Sequence, residues 1–166
     1  MPEVMMSPEK MVECMVGTRR RLGYDGLCAG VYGGIAAMMG GHLTDSEGHI
    51  TGMGEDVVHS MEDIEKLAPY DASKCPMLKM LVNTIKLMRE TEPEEPIYVI
   101  VHVPAAVAFT LMGAKPAFRA MVKNTELFCA LSDHVEDAVV ESCNILMDAG
   151  VDFLWFPTPN FGGYCI

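Results

Sequence analysis

The sequence predicts an α/β fold with a parallel sheet. Segments with the apolar spacing of helices alternate with short, continuous apolar runs that are typical of buried strands. Half of the 166 residues are hydrophobic, 21% are charged, and the mean hydropathy is +0.21. Such a composition supplies a packed core and excludes a disordered chain, which needs low hydrophobicity and high charge.

The first helix is predicted to begin at Ser7-Pro8-Glu9, which combines an N-cap serine, a first-turn proline and an acid. Gly23 is expected to end it. The charge-free apolar run that follows predicts a buried strand within Tyr24 to Val31. Tyr32 to Gly41 is glycine-rich and is expected to be a loop that leads into a short helix.

The middle of the chain is predicted to be loop and helix. Gly40 to Gly54 has no periodicity and is interpreted as a loop with a hairpin around Ser46-Glu47-Gly48. A short helix is expected from Ser60 to Leu67, with Asp63 completing a loose capping box. A longer helix is expected from Pro76 to Glu90, where apolar residues recur at intervals of three and four.

The last third contains the clearest strand, Ile97 to Val103, which is β-branched and uninterrupted. Ala105 to Met112 is interpreted as a connection to a helix at Pro116 to Lys123. Asn124 is expected to cap a long helix that ends near Gly150, and Val151 to Phe156 predicts the last strand. Three strands are fewer than the usual five or six, so either strands are missing or the chain pairs with another copy.

Charge and cysteine content narrow the function classes. The chain has 12 basic and 23 acidic residues and a net charge of −11, so a nucleic-acid partner is not expected. The apolar stretch from Leu27 to Gly41 is too short to span a bilayer, and acids interrupt the amino terminus where a signal peptide would lie. None of the six cysteines forms a C-x-x-C pair, which favours a reduced, cytoplasmic chain.

Five blocks carry a resemblance to a known family. They are Leu22-Gly23-Tyr24-Asp25-Gly26, Met61-Glu62-Asp63-Ile64-Glu65-Lys66-Leu67, Ala108-Phe109-Thr110-Leu111-Met112-Gly113, Asn124-Thr125-Glu126-Leu127-Phe128 and Asp148-Ala149-Gly150-Val151-Asp152. Their order and separation resemble the uroporphyrinogen decarboxylase superfamily. Within it, the chain is most similar to the corrinoid-dependent methyltransferases, which transfer a methyl group from methylcobalamin to a thiol such as coenzyme M.

The resemblance implies a partial (β/α)8 TIM barrel. Residues 1–166 would form an incomplete domain, from the first helix to just past the fourth strand, because a complete barrel needs about 250 residues. The family is enzymatic, and its methyltransferases hold zinc with a His-x-Cys pair and a distant cysteine in the second half of the barrel. This chain has no H-x-C, so it is expected to bind no metal by itself, with zinc and a corrinoid implied for the complete domain.

Several positions differ from the family pattern. Val107 and Ala108 stand where many relatives have Gly-Pro, and Thr158-Pro159 stands where many have Asp-Pro. Arg19, Arg20 and Arg21 do not match the arginine segment with which uroporphyrinogen decarboxylases grip substrate carboxylates, and they are interpreted as a solvated helix end.

The resemblance leaves three functions open. The first is methyl transfer, with a corrinoid protein or a small thiol as partner. The second is decarboxylation of uroporphyrinogen in tetrapyrrole synthesis. The third is a non-catalytic half-barrel that acts by self-association or by assembly with a missing second half, because its sheet edges would be exposed.

Candidate site residues follow the strands, because barrel chemistry lies at the carboxyl ends of strands. Glycines there let a backbone approach a ligand, a histidine can exchange a proton, and hydroxyl and amide groups can orient a ligand. The alternatives are a flexible turn and an interior, hydrogen-bonded histidine. His42, His49 and His59 have no metal-ligand spacing and are interpreted as surface residues. The candidates for substrate or corrinoid binding are Gly30, Tyr32, Gly33, His102, Phe109, Thr110, Thr158, Asn160 and Tyr164.

Overall fold

The computed structural model describes residues 7–41, 43–44, 52–53 and 57–158. Its main sheet has three parallel strands, β1 (Leu27–Tyr32), β4 (Ile97–Val101) and β5 (Phe153–Trp155), in the order β1-β4-β5. A second, two-stranded antiparallel sheet pairs β2 (Leu43–Thr44) with β3 (Gly52–Met53). This pairing agrees with the predicted hairpin, whose turn lies outside the described residues.

Seven α-helices are described, and most were predicted from the sequence. They are α1 (Pro8–Leu22), α2 (Gly34–Met38), α3 (Met61–Glu65), α4 (Pro76–Thr91), α5 (Pro104–Met112), α6 (Ala114–Lys123) and α7 (Thr125–Asp148). A 3-10 turn, Ala72–Lys74, precedes α4. The exception is α5, because the sequence predicts only a connection from Ala105 to Met112.

The predicted helix caps are present. The Ser7 hydroxyl accepts a hydrogen bond from the Lys10 N–H, and Gly23 ends α1 in the left-handed region with φ 72°. Ser60 and Asp63 form the reciprocal capping box of α3. The Asn124 side chain accepts a hydrogen bond from the Leu127 N–H at the start of α7. These local signals therefore set the helix boundaries.

The two faces of the main sheet differ in exposure. One face packs against helices α1, α4 and α7 and carries fully buried side chains, among them Leu27, Ile97 and Val99. The other face, here called the open sheet face, is covered by no described element. It consists of Cys28, Val31, Tyr98, Ile100, Phe153 and Trp155, which neighbour one another across the strands.

The open sheet face is apolar and aromatic. Val31, Phe153 and Trp155 are 45%, 48% and 52% exposed. The Tyr98 ring stacks on Phe153 with 5.1 Å between ring centroids and lies 6.3 Å from Trp155. In a closed barrel this face is the one that surrounds the axis, so the described chain has the form of an opened barrel segment.

The amino ends of the strands are joined by Arg89 on α4. Its guanidinium donates to the carbonyl oxygens of Pro93, Glu95 and Gly150 at 3.0–3.1 Å and to the Asp152 carboxylate at 2.6 Å. The Asp152 carboxylate also accepts the Ile97 N–H at 2.7 Å. The pKa of Asp152 is held below its usual value by the Ile97 N–H and by Arg89.

The arginines at the end of α1 are not uniformly solvated. Arg19 pairs with Glu95, and Arg20 pairs with Glu92 in the acidic turn after α4. Arg21 is exposed. The expectation of a solvated basic end is therefore wrong for Arg19, whose side chain is only 24% exposed. No helix within the described ranges is long and apolar enough to cross a membrane.

Candidate functional site

The carboxyl ends of β1, β4 and β5 form one edge of the main sheet, here called the mouth (residues 30–34, 102–110 and 156–158). Because the strands are parallel, these three segments meet on the same side of the fold. His102 lies one residue beyond β4, and its N–H donates to the Tyr32 carbonyl at 3.3 Å. This bond continues the ladder past the strand, so the alternation of side chains places His102 on the side of Tyr98 and Ile100.

His102 and Gly33 are in direct contact at the mouth. A Cβ on Gly33 would lie 3.1 Å from the His102 Cε1 and 3.2 Å from its Nδ1, so the imidazole occupies the space of a missing side chain. Within the described ranges the ring nitrogens have no hydrogen-bond partner. Burial lowers the pKa of His102, which keeps the imidazole neutral at pH 7. A neutral ring can donate one hydrogen bond to a ligand and accept another.

Gly30 is the first residue of the mouth segment on β1, and its missing side chain would face helix α4. It has φ 137° at an irregularity where the register between β1 and β4 shifts. A Cβ there would lie 2.8 Å from the Leu81 Cδ2 on α4. The absent side chain thus allows α4 to approach the sheet, which is a packing requirement.

Tyr32 is an interior residue that is 1% exposed. Its hydroxyl lies 2.5 Å from the Tyr70 hydroxyl and 3.3 Å from the Ser142 Oγ, and Ser142 donates to the Ala138 carbonyl at 2.7 Å. Desolvation raises the pKa of Tyr32. Tyr32 therefore has no exposed surface for a ligand, in contrast to the expectation from its place after a strand.

The two candidates on α5 are engaged in packing. Phe109 is buried, and its ring meets Phe118 of α6 edge-on with 4.9 Å between centroids. The Thr110 hydroxyl donates to the Ala106 carbonyl one turn earlier at 2.8 Å. Neither side chain is therefore free to contact a ligand in the way that the sequence position predicts.

The remaining candidates lie at the end of the described chain. Thr158 is exposed three residues after β5. Asn160 and Tyr164 lie outside the described residues, as do His42 and His49. His59 is exposed, as expected. Within the mouth segments, His102 and Gly33 therefore contact each other, whereas Gly30, Tyr32, Phe109 and Thr110 are engaged in packing or in internal hydrogen bonds.

The hydrogen-bonded cluster of Tyr32, Tyr70 and Ser142 was not identified from the sequence. The three residues are separated by 38 and 72 positions, and no local pattern connects them. Only the apposition of β1, the turn before α4 and α7 reveals it.

Comparison with known proteins decides the family. A family model described as "Uroporphyrinogen decarboxylase (URO-D)" matches residues 1–160. The chain belongs to the uroporphyrinogen decarboxylase family. Among curated proteins no match is found.

Comparison with a solved structure shows the fold of this chain. A methyltransferase from Methanosarcina mazei matches with a TM-score of 0.71 and 19% identity, over 98% of this chain and 50% of the other. The chain thus spans about half the length of that solved chain. The fold is that of a partial (β/α)8 barrel, as the resemblance implied.

Proposed function

We propose that this uroporphyrinogen decarboxylase family chain supplies half of a barrel that transfers a methyl group from a methylated corrinoid to a thiol. Family membership and the fold shared with a methyltransferase support this proposal. Because the chain spans half of that solved structure, the activity belongs to the complete barrel. This chain's part is to form one side of the mouth.

The charge of the mouth is the observation that favours methyl transfer over decarboxylation. No Lys or Arg occurs in its described segments 30–34, 102–110 and 156–158, and the imidazole of His102 is neutral. A carboxylate-rich tetrapyrrole such as uroporphyrinogen would need cations there, because buried carboxylates must be paired. A corrinoid with amide side chains does not, so methyl transfer is favoured over decarboxylation.

Of the two implied cofactors, the described residues fit a corrinoid but not zinc. No group of three His, Cys, Asp or Glu residues that could hold a metal ion is found in the described ranges. The described residues thus do not fit zinc, and the proposal contains no metal-dependent step for them. A corrinoid would supply the transferable methyl group. Gly33 and His102, adjoining the open sheet face, would form an apolar wall with one hydrogen-bonding group for it.

Calorimetric titration of the full 166-residue chain tests this proposal. Methylcobalamin is expected to bind and the octacarboxylate uroporphyrin is not. His102→Leu, which removes both the donor and the acceptor of the ring, should weaken methylcobalamin binding about tenfold, the equivalent of one lost hydrogen bond. His134→Leu, on an exposed part of α7, is the matched control and should have no effect. Tighter binding of uroporphyrin, or no binding of methylcobalamin, would overturn the proposal.

A second candidate function is assembly, and the open sheet face favours it. Its Phe153 and Trp155 side chains are about half exposed, and β1 and β5 are both edge strands of the described sheet. We propose that this face pairs with a second half-barrel, on another chain or on another copy.

Sedimentation velocity over a range of concentrations tests assembly. The chain is expected to sediment as a species larger than its 18.2 kDa monomer. Trp155→Lys should shift it towards the monomer, because a charge on this face must be desolvated on pairing. Val122→Lys, on α6 and 73% exposed, should leave the distribution unchanged. A cooperatively unfolding monomer at every concentration would contradict the proposal.

A further inference from the structure

A groove between α6 and α7 carries a concentration of positive charge in an acidic protein. It has a volume of about 320 Å³ and is here called the cationic groove. Its polar lining consists of Lys115, Arg119, Lys123, His59 and Asn124, and its apolar lining consists of Met112, Pro116, Ala120 and Leu127. None of these residues belongs to the mouth.

The three cations form a single stripe along α6. Lys115, Arg119 and Lys123 are spaced by four residues, so they share one helix face. The stripe extends over about 12 Å, at 1.5 Å per residue. All three side chains are exposed. No Asp or Glu lines the groove among the described residues.

These cations differ from most other cations of the chain. Arg19, Arg20, Lys66, Lys74 and Arg89 each pair with a carboxylate. Within the described ranges, the three cations of the stripe have no such partner. With 23 acidic residues available to 12 basic ones, a row of unpaired cations beside an apolar floor is a local reversal of the protein's charge.

We propose that the cationic groove binds an acidic, partly apolar segment of a partner protein. Charge complementarity favours carboxylates, and the row of cations matches charges spaced along a segment, whereas a single phosphate is held best by cations that converge on it. The apolar floor offers contacts for the segment's apolar side chains, as in helix-in-groove recognition.

The shape of the cationic groove favours a protein segment over a lipid surface as its ligand. Met112, Ala120 and Leu127 on the floor are buried, with 2–5% of their surface exposed. Insertion into a bilayer needs apolar side chains that project outward. A floor below a rim of cations can instead be reached by a narrow protein segment.

Fluorescence anisotropy with the full chain tests this proposal. The probe is a labelled 14-residue peptide in which pairs of Glu alternate with pairs of Leu, and a second peptide has Ser in place of Leu. The Leu peptide is expected to bind more tightly, because only it can use the apolar floor. The triple variant Lys115→Gln, Arg119→Gln, Lys123→Gln should weaken its binding at least tenfold.

The matched control removes three other exposed cations. The triple variant Arg21→Gln, Lys79→Gln, Lys86→Gln changes the net charge equally, on α1 and α4, and should change binding less than about twofold, because exposed charges at a distance are screened. Circular dichroism confirms that both variants are folded. The mouth is intact in both, so methylcobalamin binding reports separately on the proposed function.

Four results would overturn the proposal. The Leu peptide does not bind, or both triple variants weaken it equally, which indicates general electrostatic attraction. Inorganic phosphate at low millimolar concentration displaces the peptide, which indicates a small-anion site. Phosphatidylserine vesicles bind the chain and lose binding in the groove variant, which indicates a lipid surface.

Discussion

His102 sets a pH dependence of folding that can be measured. Burial lowers its pKa in the folded chain below the unfolded value of about 6.5. Between those two values the unfolded chain binds more protons, so the free energy of unfolding rises with pH. We expect the chain to lose stability as the pH falls below about 6.5 and through the folded pKa.

Urea unfolding at pH 8 and at pH 5 measures this contribution of His102. His102→Gln should reduce the difference in unfolding free energy between the two conditions. His134→Gln removes an exposed imidazole from α7 and should leave the His102 contribution in place. If the unfolding free energy of His102→Gln changed with pH as much as that of the parent chain, His102 would not be the source of the pH dependence.

The Tyr32 hydroxyl stabilises the interior through hydrogen bonds. Tyr32→Phe should lower the free energy of unfolding by about 1–2 kcal/mol, because Tyr70 and Ser142 lose a buried partner but keep their bond to each other at 2.7 Å. Chemical denaturation measures the loss. Tyr24→Phe removes a less buried hydroxyl that donates to the Met15 carbonyl and should cost less. Equal costs would argue against a special role for the buried cluster.

Sequence reasoning predicted a position at the mouth for two residues, and the structure agrees for His102 and differs for Tyr32. His102 and Tyr32 both stand at the end of a strand, and the sequence predicts a mouth position for both. The irregularity at Ala29 and Gly30 shifts the register of β1, and Tyr32 then pairs with Val101 on the helix-covered face. A one-residue shift changes the face of every later side chain, and no pattern in the sequence marks it.

At the scale of elements, Arg89 joins α4 to the starts of two strands. Arg89→Ala should cost about 2 kcal/mol of stability, because three carbonyl oxygens and the Asp152 carboxylate lose a charged donor. Thermal and urea unfolding measure it. Lys86→Ala, exposed on the same helix, should change stability by less than about 0.5 kcal/mol. Similar effects for both variants would contradict the role of Arg89 in joining α4 to the two strands.

Gly30 governs the approach of α4 to β1. Gly30→Ala should be strongly destabilising, because the new Cβ would lie 2.8 Å from the Leu81 Cδ2 and the φ of 137° disfavours a side chain. Leu81→Ala added to it should relieve the clash but not the backbone strain. Gly17→Ala, in an open position on α1, should instead stabilise the chain by up to about 1 kcal/mol. Denaturant midpoints of Gly30→Ala, of the double variant and of Gly17→Ala test these expectations. A midpoint for Gly30→Ala equal to that of the parent chain would contradict them.

Helix α5 shows why the remaining elements were harder to predict. Six of its nine residues are buried, so it has no polar face and no helical periodicity in its apolar residues. Pro104 at its first turn was the available signal. The amphipathic helices α4 and α6, by contrast, were predicted to within two residues at each end.

At the scale of the whole molecule, Trp155 reports whether the open sheet face is covered. It is the sole tryptophan of the chain and is 52% exposed. Its emission is expected to lie near that of water-exposed indole in dilute solution and to shift to shorter wavelength as the concentration rises and the face is buried. Phe153→Lys should suppress the shift. A concentration-independent emission would show that the face stays in water.

The sequence predicted the α/β class and the positions of the three main strands along the chain, because each strand is an uninterrupted apolar run between helices. The sequence could not show that one face of the sheet is buried under helices and the other is exposed. Phe153, Leu154 and Trp155 are all apolar, yet Phe153 and Trp155 project onto the open sheet face, whereas Leu154 contacts the core. Only the arrangement of α7 against β5 makes that distinction.

The parallel order β1-β4-β5 restricts the symmetry of any homodimer that continues the sheet. Its two edges are different strands, so a pairing of β1 with its own copy across a two-fold axis would be antiparallel and would put the two mouths at opposite ends. A parallel continuation must join the β1 of one copy to the β5 of the next. Such a head-to-tail contact closes into a ring about an axis along the strands, which gathers every His102 at one rim, or it remains open and propagates as a filament.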